Sequence, residues 1–257
     1  MSDRARLDEL LVARGLAPDI DTARRMVIAG QVRLGDEIPV KPSRLVARER
    51  DLQIETGEPY VSRGGRKLAA ALEAFGIPVQ DAVCADVGAS TGGFTDCLLK
   101  NGAARVYAID VGRGQLHWRL RQDERVIVME RTNARYVERL AEPVGLVTVD
   151  VAFISLRTLL PVVKNWLEEG GDLVALIKPQ FEARAEDVEA GGVVRSSDAR
   201  TEVVREVIAA AAECGLDPQG LLRSPLQGPK GNIEYLLWAR EGGASRSERE
   251  LLDEISI

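Results

Sequence analysis

From residue 79 onward, short apolar runs alternate with segments of helical period, and this alternation limits the chain to few architectures. The runs are 83–87 (VCADV), 106–109 (VYAI), 126–129 (VIVM), 146–149 (LVTV), 172–177 (DLVALI) and 234–239 (EYLLWA). Between them, helical spacing runs through 94–99, 156–167 and an alanine-rich 199–214. Strand–helix alternation of this kind predicts a doubly wound α/β sheet of parallel strands. Such sheets bind ligands beyond the carboxyl ends of their strands. The residues to read are therefore those that end each run: Asp86 and Gly88, then Asp110, Asn133, Asp150 and Lys178.

The first of these loops reads DVGASTGGFTD, residues 86–96. Its glycines fall at 88, 92 and 93, which is neither the dinucleotide fingerprint GxGxxG nor a P-loop. Small residues (Gly88, Ala89, Ser90, Gly92, Gly93) let the backbone approach a ligand closely, and Phe94 follows to pack beneath it. A carboxylate at Asp86 repels a pyrophosphate but suits an ammonium. Asp110 suits a ribose diol, and Asn133 an adenine edge. The pattern points to S-adenosylmethionine, whose reactive end is cationic.

The chain before this sheet has a different character. Apolar residues at Leu7, Leu10 and Leu11 have helical spacing up to Gly15, and Thr22 opens a second helix with Ala23, Met26 and Val27 on one face, ended by Gly30. Val32 and Leu34 lead to a turn at Gly35, and Val40, Leu45, Val46, Leu52 and Ile54 read as short strands. Residues 1–58 thus form a small α+β module, and 59–66, with Pro59 and Gly64-Gly65, read as a linker. Lys67 starts a helix that Gly76-Ile77-Pro78 terminates. Residues 67–240 form the sheet domain, and 241–257 a polar tail.

Charge supports a division of labour. The whole chain carries a net charge of -6, but residues 1–67 hold 13 basic and 11 acidic residues, and 100–139 hold 9 and 5. A basic module and a basic strip on an acidic body suit a polyanion held at selected surfaces. There is one histidine, His117, and the three cysteines form no CxxC, so no metal site is expected and a Ser-His-Asp triad is disfavoured. No apolar run approaches the ~20 residues of a membrane span, and no stable membrane association is expected. The sparse cysteines and the lack of an apolar signal core suggest a cytoplasmic protein.

Three resemblances carry more specific expectations. The stretch RLDELL…TARRMVIAGQVRLGD resembles the S-four-like RNA-binding domain through Arg6, Leu7, Asp8, Leu11, Ala23, Arg24, Ile28, Gly30, Val32 and the Gly35 turn. That resemblance implies that Arg6, Arg24, Arg25, Arg33, Lys41 and Arg44, with Arg63 and Arg66 of the linker, meet RNA phosphates, which orient RNA without reading its sequence. The motifs DVGASTGGFTD, VDVAFIS, IKPQFE and NIEYLL resemble the FtsJ-like ribose 2′-O-methyltransferases. That family uses a Lys-Asp-Lys-Glu tetrad, which falls here on Lys67, Asp150, Lys178 and Glu234. The whole chain resembles the TlyA family of rRNA cytidine 2′-O-methyltransferases, some of which carry a hemolysin label. The resemblance implies ribosomal RNA of the 16S or 23S type, and hence ribosomal subunits, as partner.

The tetrad makes chemical sense. A ribose hydroxyl is a poor nucleophile, and a lysine acts as base only when desolvation or a neighbouring cation lowers its pKa. Lys178 is expected to take or orient the 2′-OH proton, with Asp150 setting its position and protonation. Lys67 and Glu234 are expected to position the ribose, and Asp150 also borders the cofactor. Phe153 and Ser155 follow Asp150 and are candidate contacts to the target nucleoside, with a core position the favoured expectation for Phe153. The alternatives are a non-catalytic ribosome-assembly factor, a methyltransferase on a small molecule, and a membrane-active hemolysin, the weakest because no amphipathic basic helix is evident.

Overall fold

A computed structural model describes residues 4–28, 31–35, 37, 39, 41–54 and 59–255. The chain separates into two compact units, Met1–Pro59 and Tyr60–Ile257.

In the first unit, β1 (Arg4–Arg6) leads directly into α1 (Leu7–Ala13), followed by α2 (Ile20–Ile28), β2 (Val32–Arg33), β3 (Leu45–Ala47) and β4 (Gln53–Ile54). Two short antiparallel ladders form, β1 with β3 and β2 with β4. Leu7, Leu10 and Leu11 of α1 and Ala23 and Val27 of α2 meet Val32, Leu34, Val46 and Leu52 in one small core. The second helix begins at Ile20, two residues before the expected Thr22, because Asp19 supplies the cap. Its carboxylate accepts the Thr22 N–H and hydroxyl at 2.7 and 3.1 Å. The Gly30 stop and the Val40 strand position lie outside the described residues.

The second unit contains α3 (Gly64–Phe75), β5 (Val83–Val87), α4 (Gly93–Lys100), β6 (Arg105–Asp110), α5 (Trp118–Arg121), β7 (Val126–Glu130), β8 (Val144–Val149), α6 (Leu156–Val163), β9 (Leu167–Ile177), α7 (Pro179–Glu182), α8 (Ser197–Glu213), β10 (Leu216–Arg223), β11 (Tyr235–Glu241) and α9 (Glu248–Ile255). Seven strands make one sheet in the order β10-β11-β9-β8-β5-β6-β7. The strands β9, β8, β5, β6 and β7 are parallel. The expected all-parallel sheet is corrected at one side: β11 runs antiparallel between β9 and β10. Strand alternation separates two cores. Val87, Ile109, Val147 and Val149 face α6, α8 and α9, while Cys84, Val106, Ala108 and Leu146 face α3, α4 and α5.

Two boundary expectations are overturned. Residues 60–66 are not a linker: Tyr60 and Val61 pack into the second core, the Val61 N–H donates to Asp96 at 2.9 Å, and α3 already begins at Gly64. Residues 241–257 are not simply a polar tail. Within them α9 buries Leu251 and Ile255 in the first core, and the Glu254 carboxylate accepts the Leu221 N–H of β10 at 3.0 Å. The polar stretch 179–198 is likewise structured, with α7, a Glu189–Val193 bridge and a buried Val194.

Candidate active site

The chain runs outward from β5 to β6 and β7, then returns to β8 on the other side of β5. The sheet's switch point therefore lies between β5 and β8, where α/β sheets open a crevice at the carboxyl ends of their strands. A cleft of about 1040 Å³ lies there. Its floor is set by Gly88, at φ +84, whose missing Cβ would lie 2.3 Å from the Asp150 carbonyl oxygen. Gly93 is equally tight, since a Cβ there would meet Ser62 Oγ at 2.2 Å. A larger residue at 88 would press on the chain after β8, and one at 93 would push α4 away from Ser62 and the start of α3.

Gly88, Ala89, Ser90, Gly93, Phe94, Asp110, Asn133 and Asp150 all line the cleft. Asp110 is the last residue of β6, and its carboxylate accepts the Ser90 and Gly112 N–H groups at 2.8 and 2.6 Å. These bonds aim it across the loop with lone pairs to spare for a diol. The Asn133 side chain accepts the Arg135 N–H at 3.0 Å, which leaves its amide N–H₂ as a donor at the rim.

Two of the expected cofactor residues do not reach the cleft. Asp86 is fully buried inside β5, on the face toward α4, and cannot touch a bound ammonium. Thr95 N–H and hydroxyl donate to its Oδ2 at 2.8 and 2.6 Å, and the Thr148 hydroxyl to its Oδ1 at 3.3 Å. It thereby satisfies an orphan amide in the first turn of α4, where a carboxylate also complements the helix dipole. Burial, with a smaller contribution from the charge of Asp150, pushes its pKa up to about 7. Gly92, at φ +97, serves packing instead, because a Cβ there would strike Leu120 Cδ1 at 2.2 Å.

The tetrad residues form two ion pairs. Lys178 Nζ lies 2.5 Å from Asp150 Oδ1, and Lys67 Nζ lies 2.5 Å from Glu234 Oε2. Lys67, Asp150 and Lys178 line the cleft; Glu234 is buried behind Lys67, with Oε1 tight against Gly228. All four side chains are at least three-quarters buried. The backbone explains the placement. Asp150 and Lys178 directly follow β8 and β9, Lys67 lies in the first turn of α3, and Glu234 immediately precedes β11.

Residues beyond those expected also shape the mouth. Glu182 is buried, and its carboxylate accepts the Leu156 N–H and the Ser155 hydroxyl at 2.7 and 2.6 Å. Burial raises its pKa. It ties the helix after Lys178 to the loop after Asp150. That loop holds Phe153 at φ +64 and 90 % exposed, 4.9 Å from the Phe181 ring. Phe153 is thus no core residue. Ser62, Gln115, Thr132, Arg135 and Lys230 line the cleft as well. None carries a motif, and only their loops after strands or glycines could have pointed to them.

The eight expected RNA-contact residues sit differently. Arg6 and Arg24 both pair with the buried Asp8, at 2.7 and 3.2 Å, and hydrogen bonding from Arg6 holds that carboxyl below its usual range. Arg44 pairs with Glu37 and Arg25 bonds the Thr22 hydroxyl at 2.9 Å. Arg24, Arg25, Lys41, Arg44, Arg63 and Arg66 are exposed, and Arg6 and Arg33 half-buried. Among the described residues no group of side chains could hold a metal ion, and no helix is long and apolar enough to cross a membrane.

Comparison with known proteins agrees with this geometry. The fold is that of the S-adenosylmethionine-dependent methyltransferases: one from Listeria monocytogenes, 14% identical, superposes with a TM-score of 0.53 over 71% of this chain and 100% of that one. The FtsJ-like methyltransferase family profile matches residues 60–241. The 16S/23S rRNA (cytidine-2′-O)-methyltransferase TlyA of Mycobacterium tuberculosis is 47% identical, over 93% of this chain and 91% of that one. A solved structure from Streptococcus thermophilus, described as a hemolysin, is 40% identical with a TM-score of 0.73, covering 98% of this chain and 96% of that one. The chain belongs to the TlyA family of FtsJ-like methyltransferases.

Proposed function

We propose that this methyltransferase transfers a methyl group from S-adenosylmethionine to the 2′-hydroxyl of a cytidine ribose in ribosomal RNA, of the 16S type, the 23S type or both. The observation that carries the reading is the pairing of Lys178 with Asp150 and of Lys67 with Glu234 beside a glycine-floored cleft. Both lysines are largely buried and each is held by a carboxylate, so both are fixed in place beside the cleft. The relatives that share the chain's length include enzymes named for this reaction. The rRNA substrate would place the protein in the cytoplasm.

The cleft fits the cofactor. Its Gly88 floor admits a ligand against the backbone, Asp110 suits a ribose diol, and Asn133 offers an amide to a purine edge. The bound cofactor supplies a methyl group on a cationic sulfur. The protein supplies position: holding oxygen, methyl and sulfur in line can supply roughly 7–11 kcal/mol of the barrier. Paired with Asp150, Lys178 orients the 2′-OH as an ammonium; it takes the hydroxyl proton only once its own proton has passed to the Asp150 carboxylate, which also fixes the lysine. Lys67, held by Glu234, positions the ribose. Phe153, on its strained loop against Phe181, faces the target nucleoside. The first unit is the S-four-like RNA-binding domain, with Arg6, Arg24, Arg25, Arg33, Lys41 and Arg44 toward rRNA phosphates; Arg63 and Arg66 do the same from the methyltransferase unit.

Transfer of labelled methyl to purified 30S and 50S subunits tests this. Wild type should label rRNA, and Lys178→Ala should lose about 10²–10⁴-fold in kcat with cofactor affinity unchanged. Lys178→Arg keeps the charge but cannot accept a proton; it stays equally inactive if the lysine is the base, and recovers if it only orients. Near-wild-type turnover by Lys178→Ala would overturn the lysine's role. No label on either subunit, with cofactor bound, would overturn the rRNA reading.

A further inference from the structure

The segments that follow β6 and β7 carry seven exposed arginines, among them Arg113, Arg119, Arg131 and Arg135. Among the described residues none of the four forms an ion pair, whereas Arg121 and Arg125 of the same region pair with Glu130 and Asp123. Two large aromatic side chains stand among them. Trp118 is 60 % and Tyr136 76 % exposed. Each has a guanidinium near its ring: Arg119 Cζ lies 5.6 Å from the Trp118 centroid and Arg135 Cζ 5.9 Å from that of Tyr136. Trp118 and Tyr136 belong to neither core, and each stands beside an exposed guanidinium that has no carboxylate partner among the described residues. Together they mark a surface made for a polyanion that also presents flat apolar faces.

The surface is preformed. The Arg131 N–H donates to the Gly112 carbonyl and the Thr132 N–H to the Asp110 carbonyl, both at 3.0 Å, which staples the two loops together. The His117 N–H donates to the Thr91 carbonyl at 3.0 Å, and this fixes α5 to the loop after β5. Gln115 and Arg135 belong to both the platform loops and the cleft lining, so the platform is continuous with the cleft. A rigid platform binds without the cost of ordering its loops.

We propose that this edge is an RNA-contact surface on the methyltransferase unit itself, taking an unpaired stretch of RNA adjacent to the target nucleotide. The arginines meet phosphates, and Trp118 and Tyr136 stack on bases. The strand is unpaired because a duplex hides its base faces, while stacking on aromatic side chains needs them splayed out. The proposal rests on the RNA substrate argued above. It adds a second point of contact to the N-terminal unit and selects single-stranded over duplex flanks.

The test uses the full chain and fluorescence anisotropy with two probes, an unstructured 12-nucleotide RNA and an RNA hairpin duplex. The Trp118→Ala/Tyr136→Ala double variant should bind the single strand at least tenfold more weakly and the duplex within threefold of wild type. The Arg113→Gln/Arg131→Gln variant should weaken both probes and flatten the salt dependence of single-strand binding, lowering the log–log slope by about 1.4. On ribosomal subunits the aromatic variant should raise KM at least tenfold with kcat and cofactor affinity retained. Equal single-strand binding by wild type and the aromatic variant, or equal losses on both probes, would overturn the proposal. Failure of the rRNA reading looks different: wild type then labels no subunit, while the anisotropy arm still reads the platform.

Discussion

Replacing Asp86 by Asn should change the pH dependence of stability, and the buried carboxyl fixes the sign. Asp86 has no solvent exposure, and its native pKa is about 7 against an unperturbed 3.8. Burial is the main cause. The bonds from Thr95 and Thr148 pull the other way but do not compensate for lost water. Between pH 4 and 7 the native state therefore holds a proton that the unfolded chain has released. Stability falls as pH rises through this window, and the full penalty applies above about 7. At ~1.4 kcal/mol per pH unit, the part of the window between pH 5 and 7 is worth roughly 2–3 kcal/mol. Asp86→Asn has no such proton. It disturbs the hydrogen bonds to Thr95 and Thr148 by an amount independent of pH, about 1–2 kcal/mol. The variant should thus be less stable than wild type at pH 5 and should equal or exceed it at pH 8. Urea unfolding followed by tryptophan fluorescence measures this directly, since Trp118, Trp166 and Trp238 all belong to the Tyr60–Ile257 unit. Other titrating groups are common to both proteins and cancel. A stability gap that stays constant within about 0.5 kcal/mol from pH 5 to 8 would refute the reasoning.

Two further substitutions probe the cleft and the last helix. Gly88→Ala places a Cβ at φ +84 and 2.3 Å from the Asp150 carbonyl; it should cost at least ~2 kcal/mol and weaken S-adenosylmethionine at least tenfold by calorimetry, and unchanged affinity would mean the crevice floor is not where the cofactor sits. Leu251→Ala empties a fully buried site under α9 and should cost about 2–4 kcal/mol in urea unfolding; a loss under about 0.5 kcal/mol would mean the helix contributes little to the core.

The parts of this molecule that were legible in the sequence are those where one residue type must occupy one place on the sheet. Asp110, Asp150 and Lys178 stand at the carboxyl ends of their strands, so strand alternation alone put them at the crevice. Asp86 misled for the same reason. It lies one residue inside β5, opposite Ala108 and Thr148, and the period of two turns its side chain toward α4. A one-residue difference in where a strand ends decides between a ligand contact and a buried cap, and periodicity does not locate strand ends that finely. Strand β10, LDPQGLLR, has no continuous apolar run because Asp217-Pro218-Gln219-Gly220 interrupts it, and it is a strand by virtue of its pairing with β11. Tyr60 and α9 were hidden by composition, the one beside Pro59, the other a charged run whose Leu251 and Ile255 recur at helical spacing. In each case a neighbour distant in sequence supplies the burial. The basic strip at 100–139 shows the converse. Its charge surplus is small, and the sequence cannot say which arginines are neutralised. The fold divides them, giving Arg121 and Arg125 carboxylates and leaving Arg113, Arg119, Arg131 and Arg135, among the described residues, without ion pairs around two exposed rings. A net charge becomes a functional statement only after the ion pairs are subtracted from it, and that subtraction is made by the fold.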